Sequence, residues 1–387
     1  MTAAINIGLT GLTGLGWHTW LIATVMSYVL LCTSLRNRQR IAMQARFAQF
    51  STDASLSKMT VSQAHAIQTW LAEQEFPLTF SAALFFALFK TYSIPSISRL
   101  LVSTGQFTHG AKARAPGSRR AALELEAVSR RAADTSILLT NMIVRPPGSV
   151  EAAEAMVRTN YLHARHRRAG RISNDDMLYT LSLFVLEPIR WTERFDWRAL
   201  TSLERCAMAT WFMAWGEDLD ISYEPLGSTE HGAWDNGLAW LDALEAWSRG
   251  YECRASKRSN DNIVLVETLM RFIVCQVPGC LHGIVRETIA LVLGPKAAEA
   301  MGLQPPRRWG ESFLKAAVFV RKLVLRHLLP PRPYFLRRVY NAEKPDVKTG
   351  RYQIARWQVH PWYARTSSMD RWGPRAWLGW LSGSAKR

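Results

Sequence analysis

Charge is what the first part of this chain lacks. Residues 1–35 contain no Lys, Arg, Asp or Glu, and the first charged run is Arg36-Asn37-Arg38-Gln39-Arg40. The apolar part, which includes WLIATVMSYVLLC, is long enough as a helix to cross the hydrocarbon of a bilayer, for which about 20 residues are needed. Trp17 and Trp20 stand at one end, where indole rings favour the headgroup zone, and the arginines stand at the other. A cleaved signal peptide has the opposite order, positive charge first and a small-residue site last. A buried core helix needs neither a neutral leader nor a basic stop. A single-pass transmembrane helix is therefore expected over 14–35, with 1–13 as a short lumenal leader. The positive-inside rule then places the body of the protein on the cytosolic side.

Other absences narrow the function. There is no zinc-finger spacing, RNP-type aromatic motif or Walker loop, no G-x-S-x-G, no H-E-x-x-H and no clustered Asp/Glu/His metal set. Acidic residues are scarce, 31 against 48 Lys and Arg, giving a net charge of +17. Such charge raises the question of nucleic acid. Here it is spread over 36–46, 112–131, 158–171 and 321–338, and behind an anchor it suits the anionic cytosolic leaflet better. Membrane lipid is the expected partner, and nucleic acid is not. The 5 cysteines are an odd number, Cys32 falls in the anchor, and Cys275 and Cys280 lack a zinc-like spacing, so reduced, packed thiols are expected.

What is present is helical. No segment shows the alternation of a strand, and no repeat period is visible, so an all-α fold is expected. A basic connector covers 36–60, an all-α catalytic domain 61–329, and a tail 330–387. Ser62 could cap a helix reaching Glu75. The run FSAALFFALFKTY at 80–92 is apolar on nearly all faces, which fits a buried helix or one touching lipid. Helices are expected at 121–144, stopped by Pro146-Pro147, and at 151–168. Ser173 with Asp176, and Thr201 with Glu204, have the capping-box spacing. The first should open a helix that stops before Pro188, the second a helix through RCAMATWFMAWG. Further helices are expected at 235–247, 262–276, 284–293 and 312–328. The tail interleaves Trp357, Trp362, Trp372, Trp377 and Trp380 with basic residues, a pattern that suits a bilayer interface or packing back on the domain.

One polar cluster joins two of these helices: Arg130-Arg131-Ala132-Ala133-Asp134-Thr135 and Arg158-Thr159-Asn160-Tyr161-Leu162-His163-Ala164-Arg165-His166. On the second, Arg158, Leu162 and Arg165 share one side, while His163 lies about 100° away, near Thr159 and Arg167. A neutral imidazole is a common axial ligand of haem iron, and neighbouring arginines could pair with haem propionates. From spacing alone, a lone helical histidine serves equally as a structural hydrogen-bonding residue. Phe85, Phe86, Phe89, Phe184 and Trp211 could wall a pocket or simply fill a core. His166 and His282 are rival ligands.

Longer blocks carry more information. AIQTWLAEQEFPLTFSAALFFALFKTYSIPSISRLLVSTGQF, RRAADT, RTNYLHARHRRAGRISNDDMLYTLSLFVLEPIRWTERFDWRALTSLERCA, PPRPYFLRRVYNAEKPD and DRWGPRAWLGWL together resemble the fungal ER-bound oxygenases. The type member of that family cleaves a farnesyl side chain in mycophenolic acid biosynthesis. The bacterial rubber oxygenases, or latex-clearing proteins, are related to it. The resemblance implies a globin-related, all-α haem-b protein that uses O2 to cleave an isoprenoid carbon–carbon double bond. It puts the proximal histidine at His163 and distal residues at Arg131, Asp134 and Thr135. Asp134 stands where the rubber oxygenases have a lysine, so a state in which that lysine ligates iron does not carry over. Arg158 and Arg165 would serve the propionates. The implied protein is an ER-membrane enzyme of secondary metabolism acting on a prenylated small molecule. Its competitors are a haem oxygenase performing another oxidation and a membrane-bound accessory protein without haem.

Overall fold

The computed structural model of the chain describes residues 16–105, 119–227 and 234–340, together with 346, 347 and 350. The leader at 1–13, most of the basic loop at 105–120 and the five tail tryptophans lie outside that set. Among the described residues there are helices and no strands.

The first helix, α1 (Trp17–Arg46), contains no proline or glycine and exposes most of its side chains, with only Cys32 and Arg36 buried. It does not stop at the arginines. The basic run that was expected to begin a connector continues the helix to Arg46, since Arg, Gln, Met and Ala are all good helix formers. α1 touches the rest of the chain chiefly at a π turn, Val324–Leu328. There the Tyr28 hydroxyl donates to the Leu328 carbonyl at 2.9 Å, and Thr33 Oγ1 lies 3.1 Å from His327 Nδ1.

After a short helical turn at Asp53–Leu56, the next long helix, α2 (Val61–Trp70), is capped by Thr60 rather than Ser62. Gln63 amide N–H donates to the Thr60 hydroxyl at 3.3 Å, and the Gln63 side chain accepts from the Thr60 amide at 2.9 Å. The reciprocal pair satisfies two otherwise orphaned donors. The helix then widens through the π turn Leu71–Glu75, closed by the Phe76 amide on the Leu71 carbonyl at 2.9 Å. Pro77, whose missing N–H costs nothing at a first helical position, opens α3 (Pro77–Thr91). α4 (Pro95–Ser103) follows at 90°.

Two long helices, α5 (Arg119–Val144) and α6 (Val150–Arg168), form a hairpin. α7 (Asn174–Phe195) is the centre of the fold and packs along α3, so the apolar run of α3 is a core helix. Pro188 was expected to end α7, yet the helix runs through it. An internal proline costs roughly 3 kcal/mol, and burial on most faces of α7 outweighs that. Leu178, Tyr179, Leu181, Leu183, Val185 and Leu186 all lie in the core. α8 (Ser202–Asp218) begins with the expected Thr201–Glu204 box and packs on α2 and on α9 (Gly237–Ala255). α10 (Asn260–Val274), α11 (His282–Leu293) and α12 (Pro295–Ala300) build a second, smaller core with Phe89, Tyr92 and Val128. The last helix, α13 (Arg308–Leu323), runs into the π turn that holds α1.

The described start of the tail folds back onto the domain. The Arg338 amide donates to the Glu73 carbonyl at 2.9 Å, and the Tyr340 hydroxyl to the Ala72 carbonyl at 2.9 Å.

Candidate functional site

The α5–α6 hairpin is built for a close pair of helices. Pro146 and Pro147 end α5, Gly148 turns the chain at φ +79°, and the Ser149 hydroxyl caps α6 by accepting from the Ala152 amide at 3.3 Å. α6 is tied to the end of α8 from the other side. Asn160 Nδ2 donates to the Asp218 carbonyl at 2.9 Å, and Arg167 Nη2 meets both the carbonyl and the carboxylate of Asp220 at 2.9 Å. These contacts fix the rotation of α6 and therefore the direction of His163.

His163 is half-buried. Its Nδ1 is sealed from solvent and has no hydrogen-bond partner among the described residues. Burial first, then the charges of Arg131 and Arg167 and the neighbouring His166, push its pKa below the ordinary histidine range. The imidazole is thus held in its neutral form, with a lone pair available. Across the hairpin, Arg131 is half-buried, and its Nε is likewise buried without a partner. The same guanidinium acts on Tyr92, whose phenol burial pushes up to about 12 against the pull of Arg131.

The structure therefore brings Arg131 and His163 together, with Tyr92 facing the same guanidinium. Asp134 and Thr135 are half-buried one turn further along α5. Arg158 and Arg165 are exposed, and the Arg158 guanidinium lies 5.6 Å from the ring centre of Tyr161. His166 is half-buried beside His163. His282 is engaged elsewhere, its Nε2 2.8 Å from the Val277 carbonyl at the start of α11. The aromatic candidates separate into different places. Phe85, Phe86 and Phe89 cluster with Trp191, Phe184 packs edge-on to Trp215, and Trp211 packs edge-on to His65.

Haem iron requires an unprotonated imidazole nitrogen, and haem carboxylates require cations nearby. A neutral imidazole whose enclosed Nδ1 has no partner, next to an enclosed guanidinium Nε without a partner, fits that demand. Among the described residues there is no group of three or more His, Cys, Asp and Glu side chains able to hold a bare metal ion. A cleft of about 1010 Å³ between the end of α7 and α11, α12 and α13 includes neither His163 nor Arg131.

Sequence reading overlooked two features. His65 is buried, its Nε2 2.9 Å from the Val144 carbonyl, and burial lowers its pKa. That bond ties α2 to the end of α5, so His65 has a structural task. Its only signal was a place on the apolar side of α2. The second feature is a buried charge cluster where α1 meets the domain. Arg198 holds Glu204 through two bonds of 2.7 Å and lies 3.4 Å from Glu75. Burial pushes the Glu75 carboxyl up to about 7, against the pull of Arg198 and Arg36.

Among the described residues, fold and site together define an all-helical protein with an apolar N-terminal helix, long enough to cross a membrane, and a half-buried histidine–arginine pair between two helices. No family profile matches the chain. It is 34% identical over 365 residues to the ER-bound oxygenase mpaB' of Penicillium brevicompactum, covering 94% of this chain and 82% of that protein. It is 34% identical over 367 residues to the ER-bound oxygenase mpaB of the same fungus, covering 95% and 83%. A third relative, the ER-bound oxygenase mpaB of Penicillium roqueforti, is 33% identical over 285 residues, covering 74% and 90%. The chain belongs to this family of ER-bound oxygenases.

Proposed function

We propose that the protein is a haem-dependent oxygenase of the ER membrane that uses O2 to cleave a carbon–carbon double bond in the isoprenoid side chain of a secondary-metabolite intermediate. One observation carries the reading: the half-buried His163 is held neutral, its enclosed Nδ1 has no hydrogen-bond partner, and Arg131 stands beside it from the paired helix. Membership of a family of ER-bound oxygenases supports it.

Haem b, when bound, supplies a redox-active iron that activates O2. His163 would be its protein ligand. Arg158 and Arg165, exposed on α6, would offer counter-charge to its carboxylates. Asn160 and Arg167 hold α6 in register, which keeps the imidazole aimed. Arg131 and Thr135 would orient an oxygen atom through donated hydrogen bonds, and Asp134 adds a carboxylate near them. The overall change balances without a further reductant: one alkene and one O2 give two carbonyl fragments. α1 would place the catalyst beside a substrate that partitions into lipid, with the domain on the cytosolic side.

Microsomes containing the full chain, given a farnesylated phenol and labelled O2, test the reading by mass spectrometry. Cleavage puts one labelled atom in each carbonyl fragment. Label in a product with an intact carbon skeleton would make the protein an oxygenase of another kind. No labelled product from a protein that lacks haem would remove the proposal.

A further inference from the structure

α13 turns its largest apolar side chains away from the domain. Its domain-facing side carries the half-buried Leu314 and Val318 together with polar anchors. Arg321 donates to the Phe195 carbonyl and to Thr79 Oγ1, and pairs with the buried Asp196 at 3.5 Å. Lys322 donates to the Glu193 carbonyl at 2.8 Å. Its outward face is apolar: Trp309, Phe313, Val320 and Leu323 fall within about 80° of one another on the helical wheel, and Phe313 is 65% exposed. The turn Tyr334–Leu336 carries the same character outward, with Phe335 80% exposed. Water-soluble chains rarely leave an apolar surface of this extent uncovered.

What covers it follows from its neighbour. α13 leads without a break into the π turn that packs on α1 between Tyr28 and Arg36. That interval is about 12 Å of helix axis, and all but its end belongs to the uncharged stretch. A bilayer that accepts α1 up to Arg36 therefore reaches the π turn as well, at the depth of about 5–10 Å where interfacial helices lie. Arg308, Arg326 and Arg332 are exposed at the ends of the apolar surface, where lipid phosphates would meet them.

We infer that the outward face of α13 and the Tyr334–Leu336 turn lie in the interfacial plane of a phospholipid bilayer. They form a second, in-plane attachment that fixes the tilt of the domain against the membrane. The inference rests on the reading of α1 as a bilayer anchor, so its test must separate the two.

The test uses the full chain in phosphatidylcholine–phosphatidylserine vesicles, with the exposed Cys253 and Cys280 replaced by serine. Nitroxide labels are placed singly through Phe313→Cys, Val320→Cys and Phe335→Cys. Ile22→Cys reports on the anchor, and Glu311→Cys, exposed on the cleft side at the start of α13, reports on solvent. Collision rates with oxygen and with a water-soluble nickel chelate are then compared. The expected result is an oxygen-to-nickel ratio several-fold higher at 313, 320 and 335 than at 311. If those three match 311 while 22 is immersed, the anchor stands and this inference falls. If 22 is also aqueous, both fall. Labels at 313, 320 and 335 that are shielded from both reagents would assign the face to a second protein surface and overturn the lipid assignment.

Discussion

Arg36 Nη2 donates to the carbonyl of Leu329, 2.8 Å away and 293 positions along the chain. The same guanidinium reaches the Pro330 carbonyl at 3.3 Å and lies 5.3 Å from the ring centre of Trp197. The first charged residue after the apolar run is thus a buried fastener that satisfies carbonyls just past the π turn that follows the last long helix. Charge-assisted bonds to buried carbonyls are strong, and truncating the donor leaves the acceptors without partners.

Arg36→Ala should destabilise the domain by about 2 kcal/mol. Denaturant unfolding of the detergent-solubilised chain measures this, and Arg36→Lys should recover part of the loss. Equal midpoints for the alanine variant and the parent would mean that Arg36 acts only as a membrane stop.

Glu75 gives the fold a pH dependence. Its carboxyl is pushed from an ordinary 4.5 to about 7. Between those values the folded protein binds more protons than the unfolded chain, so this group's contribution to stability falls as pH rises through the interval. The span corresponds to roughly 3 kcal/mol. Glu75→Gln removes the titration, and the variant should gain on the parent by about that amount between about pH 5 and pH 8. Parallel pH dependences for the two proteins would show that Arg198 keeps Glu75 ionised throughout.

Gly216 sits in α8 where another helix side chain leaves no room. A Cβ there would lie 2.2 Å from Tyr223 Oη and 2.5 Å from Leu181 Cδ2. Tyr223 is itself held by donating to the Met213 carbonyl at 2.6 Å. Gly216→Ala should therefore cost about 1–3 kcal/mol by overpacking. Combined with Tyr223→Phe, the loss should be less than the sum of the single losses, because the phenol oxygen is the nearer obstacle. Strict additivity would contradict the packing described.

How much of this was legible in the residues depends on the range of the interaction. Thr201 with Glu204 announced a helix start because a capping box is complete within four residues. The same local logic mistook Ser62 for Thr60 by two positions, although the Thr60–Gln63 pair follows the same spacing. Pro188 misled because its local penalty was readable while the burial of α7 that overcomes it is not local. Arg36 read as a membrane stop, and nothing within α1 reveals its bond to Leu329. His163 came from family resemblance. Its periodicity placed it beside Thr159 and Arg167, but burial and the approach of Arg131 require the α5–α6 pairing. Of the pocket-wall aromatics, Phe89, Phe184 and Trp211 are ordinary core side chains, a role that composition could not distinguish from a cavity lining.

The proposed bond between His163 and a haem iron is tested most directly by the visible spectrum of the purified protein. The parent should show a Soret band that shifts on reduction and on addition of carbon monoxide. His163→Ala should lose that band while keeping its helical content, and His166→Ala should keep it. A His163→Ala protein that retains full haem absorbance would contradict the assignment.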